Sequence, residues 1–250
     1  MTQPYVNITI ERGVGTIEFF HPAHNSLPGD ILAKLAQTIT DAGNNPDIKV
    51  IVLKSGGSRT FCAGASFKEL ININSAEAGK VFFSGFANVI NAMRKCPKFI
   101  IGRVQGKTVG GGIGVASATD YCMATKYAAI KLSELNIGIG PFVVGPAVER
   151  KIGLSAMTQI AIDANSFYDA EWAKDKGLFT KVFEDTETLD EAVKIFAEHL
   201  CTYNPEAMKD MKKAFWEGTE HWDTLLVERA VISGKLVLSE FTKETLKRFQ

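Results

Sequence analysis

The stretch from Gln105 to Asp120, QGKTVGGGIGVASATD, follows an apolar run at residues 99–104 and leads into a segment of small residues. A second stretch of the same kind, Phe61 to Leu70, FCAGASFKEL, follows the apolar run at residues 50–53. Glycines at a turn between a strand and a helix let the backbone approach a ligand closely, and the start of a helix leaves N–H groups unpaired. Two such turns side by side predict two N–H donors aimed at one oxygen, an arrangement that stabilises an oxyanion.

Strand patterns and helix patterns alternate around these two turns. Alternating apolar residues predict a hairpin of two strands and then further strands, at residues 5–10, 16–20, 48–54, 99–104, 121–124 and 128–132. Helical spacing predicts helices between them at residues 29–42 and 75–95 and directly after the triple glycine. This repeated order indicates parallel βαβ units in an α/β fold.

The chain becomes mainly helical after residue 143. Helices are predicted at residues 143–152, 155–163, 169–176, 188–200, 204–216, 220–234 and 238–248, with one short strand at residues 179–183. We therefore predict an α/β core over residues 1–200 and a helical C-terminal part over residues 201–250.

Composition narrows the class of protein. The 250 residues carry 28 basic and 28 acidic side chains, a balance that does not favour a nucleic-acid partner. We find no apolar run of transmembrane length and no secretory signal pattern at the N-terminus, so we expect no membrane contact. The four cysteines and four histidines lack metal-ligand spacing, and reduced thiols are typical of the cytoplasm, which is the expected location.

Three motifs resemble the enoyl-CoA hydratase/isomerase (crotonase) superfamily. They are FCAGASFKEL at residues 61–70, QGKTVGGGIGVASATD at residues 105–120 and LSELNIGI at residues 132–139. The resemblance covers nearly the whole chain and implies a crotonase-like core of repeated ββα units arranged as a spiral. It also implies an acyl-CoA substrate, no cofactor other than the CoA carried by that substrate, and assembly as a homotrimer or a dimer of trimers.

The same resemblance assigns the chemistry of the site. It places the oxyanion donors at the backbone N–H groups of Ala65 and Gly111 and the acid/base at Glu134. A carboxylate beside a thioester in an apolar cleft has a raised pKa and can take up a proton and return it. Two structural explanations stay open: the triple glycine can serve only close helix packing, and Glu134 can serve only as a first-turn acid that complements a helix dipole.

Contacts to CoA are also implied by the resemblance. Lys68 corresponds to a contact with the CoA phosphates, although a solvated lysine on a helix is the alternative. Asn25, Ala63 and Ser66 match positions near the adenine end of CoA. Phe249 is expected to cover the nucleotide of its own or a neighbouring subunit, with simple packing as the alternative.

The chain departs from the family's hydratases at Gly114. Those enzymes commonly carry a second glutamate there, two residues after the triple glycine, and the two carboxylates share the handling of water and proton. The GGGxG pattern itself resembles a methylglutaconyl-CoA hydratase-like subgroup that has glycine at this position. We therefore expect an enoyl-CoA hydratase first and a Δ3,Δ2-enoyl-CoA isomerase using Glu134 alone second. An acyl-CoA decarboxylase and a non-catalytic protein that binds acyl-CoA or RNA are further alternatives.

Overall fold

The computed structural model describes residues 3–248, so Phe249 lies outside the described residues. The strands are β1 (Tyr5–Glu11), β2 (Val14–Phe20), β3 (Val50–Ser55), β4 (Thr60–Cys62), β5 (Ile100–Val104), β6 (Lys107–Val109), β7 (Tyr121–Thr125), β8 (Ala129–Lys131), β9 (Tyr168–Asp169) and β10 (Lys181–Phe183). The helices are α1 (Gly29–Asn44), α2 (Phe67–Leu70), α3 (Ala76–Lys95), α4 (Gly111–Ser117), α5 (Gly145–Ile162), α6 (Ala170–Asp175), α7 (Thr186–Leu200), α8 (Pro205–Phe215), α9 (Trp222–Leu236) and α10 (Glu240–Lys247). A 3-10 helix spans Glu134–Ile137.

The strands form two sheets, and successive units of the chain supply one strand to each. The larger sheet has the order β1-β2-β3-β5-β7-β10, and the smaller sheet has the order β4-β6-β8-β9. Strands β3, β5 and β7 are parallel neighbours in the larger sheet, while β4, β6 and β8, which follow them in the chain, are parallel neighbours in the smaller one. This repeated ββα order confirms the predicted α/β fold.

Burial explains why the central strands read as continuous apolar runs. All five residues of β5 are buried, and β3 is buried except at Lys54, because helices cover both faces of a parallel sheet. Helix α1 packs beside α3, where a Cβ on Gly85 would lie 2.8 Å from the side chain of Leu32. The two glycine turns follow strands of the smaller sheet: Gly64 comes after β4, and the triple glycine comes after β6.

The helices after residue 201 are packed against the rest of the molecule. Trp216, Trp222 and Leu226 belong to the main apolar core. Helix α9 crosses α3 so closely that a Cβ on Gly79 would lie 2.7 Å from the Cα of Gly234. The segments before and after residue 200 therefore share one core. A domain boundary at this residue stays a prediction.

The structure also corrects the predicted element list. Strands β4, β6 and β9 were not predicted, and the smaller sheet was therefore missed, because two or three residues are too few to establish a strand period. The predicted helices 143–152 and 155–163 form the single element α5, although Gly153 interrupts it with a φ of 77°. The predicted break is thus real, and its cause is the left-handed backbone of that glycine.

Candidate active site

The first glycine turn leaves the N–H of Ala65 unused. Gly64, with a φ of 89°, turns the chain after β4. The N–H of Leu27 donates to the carbonyl of Gly64 over 2.8 Å, and the N–H of Ser66 donates to the carbonyl of Leu27 over 2.9 Å. These bonds fix the backbone on both sides of Ala65, and the N–H of Ala65 has no acceptor among residues 3–248.

The three glycines of the second turn each have a separate reason to lack a side chain. Gly110 has a φ of 53° and a ψ of −120°, a conformation that other residues rarely adopt. A Cβ on Gly111 would lie 2.4 Å from the ring of Phe86, and a Cβ on Gly112 would lie 2.7 Å from the Cβ of Cys62. The turn therefore depends on all three glycines.

The two turns meet at one place. A Cβ on Gly64 would lie 3.3 Å from the carbonyl oxygen of Val109 and 3.8 Å from the backbone nitrogen of Gly111. The N–H of Gly111, at the start of α4, has no acceptor within the described part of the chain. The predicted pair of donors, Ala65 and Gly111, thus lies on two turns that are in contact, and their joint action on one oxygen atom stays a prediction.

Glu134 reaches the same place from the 3-10 helix that it begins. A Cβ on Gly110 would lie 3.2 Å from its Oε1. Its Oε2 is fully buried and has no hydrogen-bond partner among residues 3–248, although the residue as a whole is only half-buried. Burial raises the pKa of Glu134 to about 7, while backbone hydrogen bonds at Glu134 and Ser133 act in the opposite direction. A carboxyl group with such a pKa is suited to accept and return a proton near neutral pH.

Tertiary contacts hold the 3-10 helix in position. The Nδ2 of Asn136 donates to the carbonyl of Ala164 over 2.8 Å. Gly138 ends the helix with a φ of 77°, and α10 packs against it, since a Cβ there would lie 2.6 Å from the ring of Phe241. The position of Glu134 therefore depends on the C-terminal helix as well as on the core.

The space beside Gly114 is filled. A Cβ on Gly114 would lie 2.6 Å from the Cγ1 of Val144 and 3.1 Å from the Cδ1 of Ile90. Any side chain larger than a hydrogen atom fits at this position only if the neighbouring apolar side chains repack. The position at which the resemblance implies a second glutamate in hydratases therefore packs against apolar side chains in this chain.

Two of the side chains predicted near CoA already form hydrogen bonds within the protein. The Nδ2 of Asn25 donates to the carbonyls of Gly56 and Thr60, and its Oδ1 accepts from the N–H of His21, so this buried side chain shapes its loop. Ser66 caps α2 by accepting from the N–H of Glu69.

The other predicted CoA contacts lie closer to solvent. The N–H of Ala63 donates to the carbonyl of Asn25 over 3.1 Å, and Ala63 is half-buried next to the first turn. Lys68 is exposed on α2. Phe249 is outside the described residues, so its predicted role stays untested.

The sequence patterns missed several residues of the site. Val144 and Phe86 lie against Gly114 and Gly111, but their apolar character gives no sign of this contact. Glu69, which the sequence indicates only as a surface residue, accepts a hydrogen bond from the N–H of Gly29 over 3.0 Å and so caps α1. No local signal in the sequence indicates this bond, because Glu69 lies 40 residues after the helix start that it caps.

Other kinds of site receive no support from the described residues. Burial raises the pKa of Cys62 to about 12, so its thiol is a poor nucleophile. Within residues 3–248 no cluster of three or more His, Cys, Asp or Glu side chains could hold a metal ion. No helix in the same range is both long and apolar enough to cross a membrane.

Comparison with known proteins identifies the family. A family model described as enoyl-CoA hydratase/isomerase matches residues 9–247. The chain is 28% identical over 248 residues to the short-chain-enoyl-CoA hydratase of Clostridium acetobutylicum, covering 97% of this chain and 94% of the relative. It is 28% identical over 239 residues to the peroxisomal Delta(3,5)-Delta(2,4)-dienoyl-CoA isomerase of Arabidopsis thaliana, covering 87% and 84%.

Two further matches extend the comparison. Over 200 residues the chain is 30% identical to the mitochondrial methylglutaconyl-CoA hydratase of Mus musculus, covering 78% of this chain and 63% of the relative. The crystal structure of enoyl-CoA hydratase from Bacillus halodurans has the same fold, with a TM-score of 0.90 at 21% identity over 98% of this chain and 99% of that one. With the match over residues 9–247, the chain belongs to the enoyl-CoA hydratase/isomerase family.

Proposed function

We propose that this protein is an enoyl-CoA isomerase that moves the double bond of a 3-enoyl thioester to position 2. Two observations carry the proposal: the buried carboxylate oxygen of Glu134 near Gly110, and the closing of the side-chain space at Gly114 by Val144. One base that takes a proton and returns it elsewhere is sufficient for isomerisation. Hydration of the two-carboxylate kind requires a second polar group to hold water.

The proposed reaction is a 1,3-proton transfer. The carboxylate of Glu134 takes a proton from C2 of the 3-enoyl thioester, and the electrons move onto the thioester oxygen as a dienolate. The N–H groups of Ala65 and Gly111 stabilise that oxyanion, and loss of one such donor typically lowers the rate by about two to three orders of magnitude. The protonated Glu134 then returns its proton to C4, which leaves the double bond between C2 and C3.

The pKa of about 7 for Glu134 suits both half-reactions. A group with a pKa near the working pH is available as a base for the first transfer and as an acid for the second. Its Oε2 has no partner among the described residues, so the oxygen is not tied to another side chain when substrate arrives.

Hydration of a 2-enoyl thioester by Glu134 is the second candidate function. The similarity to the short-chain-enoyl-CoA hydratase and to the methylglutaconyl-CoA hydratase supports it. Patterns in the sequence placed hydration first, and the close packing of Val144 on Gly114 is our reason for reversing that order. Hydration in this chain requires that a group other than residue 114 hold the water.

The wider expectations remain part of the proposal. CoA is taken to be part of the substrate, with Lys68, Asn25, Ala63 and Ser66 forming or shaping its site, and no further cofactor is needed for the proton transfer. Assembly as a homotrimer or a dimer of trimers and a cytoplasmic location remain predictions from the family resemblance and the composition. Decarboxylation and non-catalytic acyl-CoA or RNA binding have no specific observation in their favour.

A panel of thioesters tests the proposed function. A 3-enoyl-CoA, crotonyl-CoA and 3-methylglutaconyl-CoA are each incubated with the wild type, with Glu134→Gln and with Glu149→Gln, which removes an exposed carboxylate from α5. Chromatography with mass spectrometry then follows the products. We expect conversion of the 3-enoyl to the 2-enoyl thioester by the wild type and Glu149→Gln, and its loss by about two orders of magnitude or more in Glu134→Gln. Hydration of crotonyl- or 3-methylglutaconyl-CoA without isomerisation would establish the second candidate instead.

A further inference from the structure

Gln105 is a buried amide whose side chain joins the segments that precede the two glycine turns. It follows β5 and precedes β6, the strand that leads into the triple glycine, and it is 1% exposed. Its Nε2 donates to the Oγ of Ser55 over 3.0 Å and to the carbonyls of Gly57 and Thr60 over 3.1 Å each. Thr60 begins β4, the strand that leads into the first turn. None of these contacts takes part in the proposed proton transfer.

The surroundings of Gln105 determine which way its amide points. The carbonyl oxygens of Gly57 and Thr60 can only accept hydrogen bonds, so the Nε2 faces them. The Oε1 is buried and has no hydrogen-bond partner within residues 3–248. Turning the amide over would place its oxygen against two other oxygens. The side chain therefore acts as a donor to the segment in front of the first turn.

Three side chains donate to the carbonyl oxygen of Thr60. Besides Gln105, the Nδ2 of Asn25 donates to it over 2.9 Å and the Oγ of Ser55 over 3.4 Å. Asn25 and Ser55 are 2% and 1% exposed, so these bonds form away from water, where hydrogen bonds are electrostatically stronger. The first residue of β4 is thus held by side chains from three separate segments of the chain.

Backbone pairing aligns β4 with β6 over only a short distance. Strand β4 has three residues, and Thr60 pairs with Lys107 at its start. Cys62 pairs with Thr108 at its end, and the register shifts between these two pairs. Such an irregularity disrupts the ladder of hydrogen bonds locally. The bond from Gln105 to Thr60 therefore supports a weak ladder at the point where it begins.

We infer that Gln105 is a positioning residue, which holds β4 in register with β6 and so sets the distance between the N–H groups of Ala65 and Gly111. This role rests on the proposed function, in which both N–H groups act on the thioester oxygen. Ala65 follows β4 and Gly111 follows β6, so a slip of either strand moves one donor relative to the other. Donors must lie within about 3 Å of the oxygen on which charge develops, so a small slip weakens their effect.

Infrared difference spectroscopy of a bound thioester tests the position of the donors without turnover. Butyryl-CoA with carbon-13 at its thioester carbonyl is bound to the wild type, Gln105→Met, Ser55→Ala and Thr219→Val. It has no double bond, so neither isomerisation nor hydration consumes it. Thr219 is the matched control, because its buried Oγ1 donates to the carbonyl of Trp216 between α8 and α9, away from both turns.

Hydrogen bonds to a carbonyl lower its stretching frequency. We therefore expect the frequency of the bound carbonyl to be higher in Gln105→Met than in the wild type, and to rise less in Ser55→Ala. Thr219→Val should keep the wild-type frequency. The methionine side chain is close in size to glutamine but has no N–H group, so its effect reports the lost donor.

Steady-state kinetics with whichever thioester the wild type converts gives a second readout. The value of kcat should fall about tenfold in Gln105→Met and about threefold in Ser55→Ala, because small displacements of catalytic groups are costly. KM should stay within about twofold, since the donors act on charge that develops in the transition state. Thermal unfolding measures the stability of each variant, and Thr219→Val should lose stability without losing kcat.

Crystal structures of the wild type and Gln105→Met give a third readout, which needs no thioester. The distance between the backbone nitrogens of Ala65 and Gly111 should differ between the two structures. An unchanged distance, a wild-type carbonyl frequency and kcat in Gln105→Met, or equal changes in Thr219→Val would overturn the proposal. If Gln105→Met does not fold, Ser55→Ala decides by the same three readouts. A wild type that converts no thioester would refute the proposed function, while the crystal structures would still decide the role of Gln105.

Discussion

Replacing Glu134 by glutamine is expected to remove activity and, at alkaline pH, to stabilise the fold. Burial raises the pKa of this carboxyl group from 4.5 to about 7. The folded protein therefore holds the proton more tightly than the unfolded chain does, and the stabilising contribution is complete below pH 4.5 and is lost as the pH rises through about 7. At about 1.36 kcal/mol per pKa unit, the loss amounts to at most about 3 kcal/mol. Glutamine stays neutral and should avoid that loss.

Chemical denaturation of the two proteins at several pH values between about 5 and about 8 measures this difference. The free energy of unfolding of Glu134→Gln should exceed that of the wild type only slightly near pH 5, by an amount that grows as the pH rises to about 7 and then levels off towards pH 8. The variant Glu149→Gln removes one exposed carboxylate and separates the effect of burial from that of net charge. A difference between Glu134→Gln and the wild type that does not change with pH would refute the argument that Glu134 is desolvated.

Three further predictions follow from contacts in the core and at the site. Lys212→Met leaves the buried aspartate with which it pairs without a counter-charge, and urea denaturation should show a loss of about 3–5 kcal/mol. Gly112→Ala places a Cβ 2.7 Å from Cys62, so thermal unfolding should report a loss of about 1–3 kcal/mol, whereas Gly145→Ala has more room and serves as the comparison. The value of kcat/KM for isomerisation should rise with pH through about 7 and then level off, because the carboxylate form of Glu134 takes the first proton.

Most of the fold could be predicted from local sequence patterns. The glycine turns, the apolar runs before them and the helical periods after them depend on neighbours in sequence, and the structure confirms the α/β order that they indicated. The helix that begins at Glu134 was considered only as a structural alternative, and the structure has it as a 3-10 helix. The small sheet was not predicted, since strands of two or three residues carry no readable period. The pairing of β4 with β6 joins segments that are far apart in the sequence, so no local pattern indicates it.

The part of the candidate site that consists of backbone N–H groups could be predicted from the sequence. Gly64 and the triple glycine are needed for turns that only a few residue types can form, so their pattern indicates the two N–H donors. The space beside Gly114 is filled by Val144, which lies 30 residues later in the sequence. An apolar residue in an apolar stretch does not indicate which residue it will contact. That contact is the reason for preferring isomerisation to hydration.

Reaction in water labelled with oxygen-18 is the most direct test of the single-carboxylate account. Crotonyl-CoA and a 3-enoyl-CoA are incubated with the wild type and with Glu134→Gln, and the products are weighed by mass spectrometry. The account predicts that the wild type moves the double bond of the 3-enoyl thioester with no gain of labelled oxygen, and that Glu134→Gln does not. Labelled oxygen in the product of the wild type, absent with Glu134→Gln, would contradict the account and make the protein a hydratase.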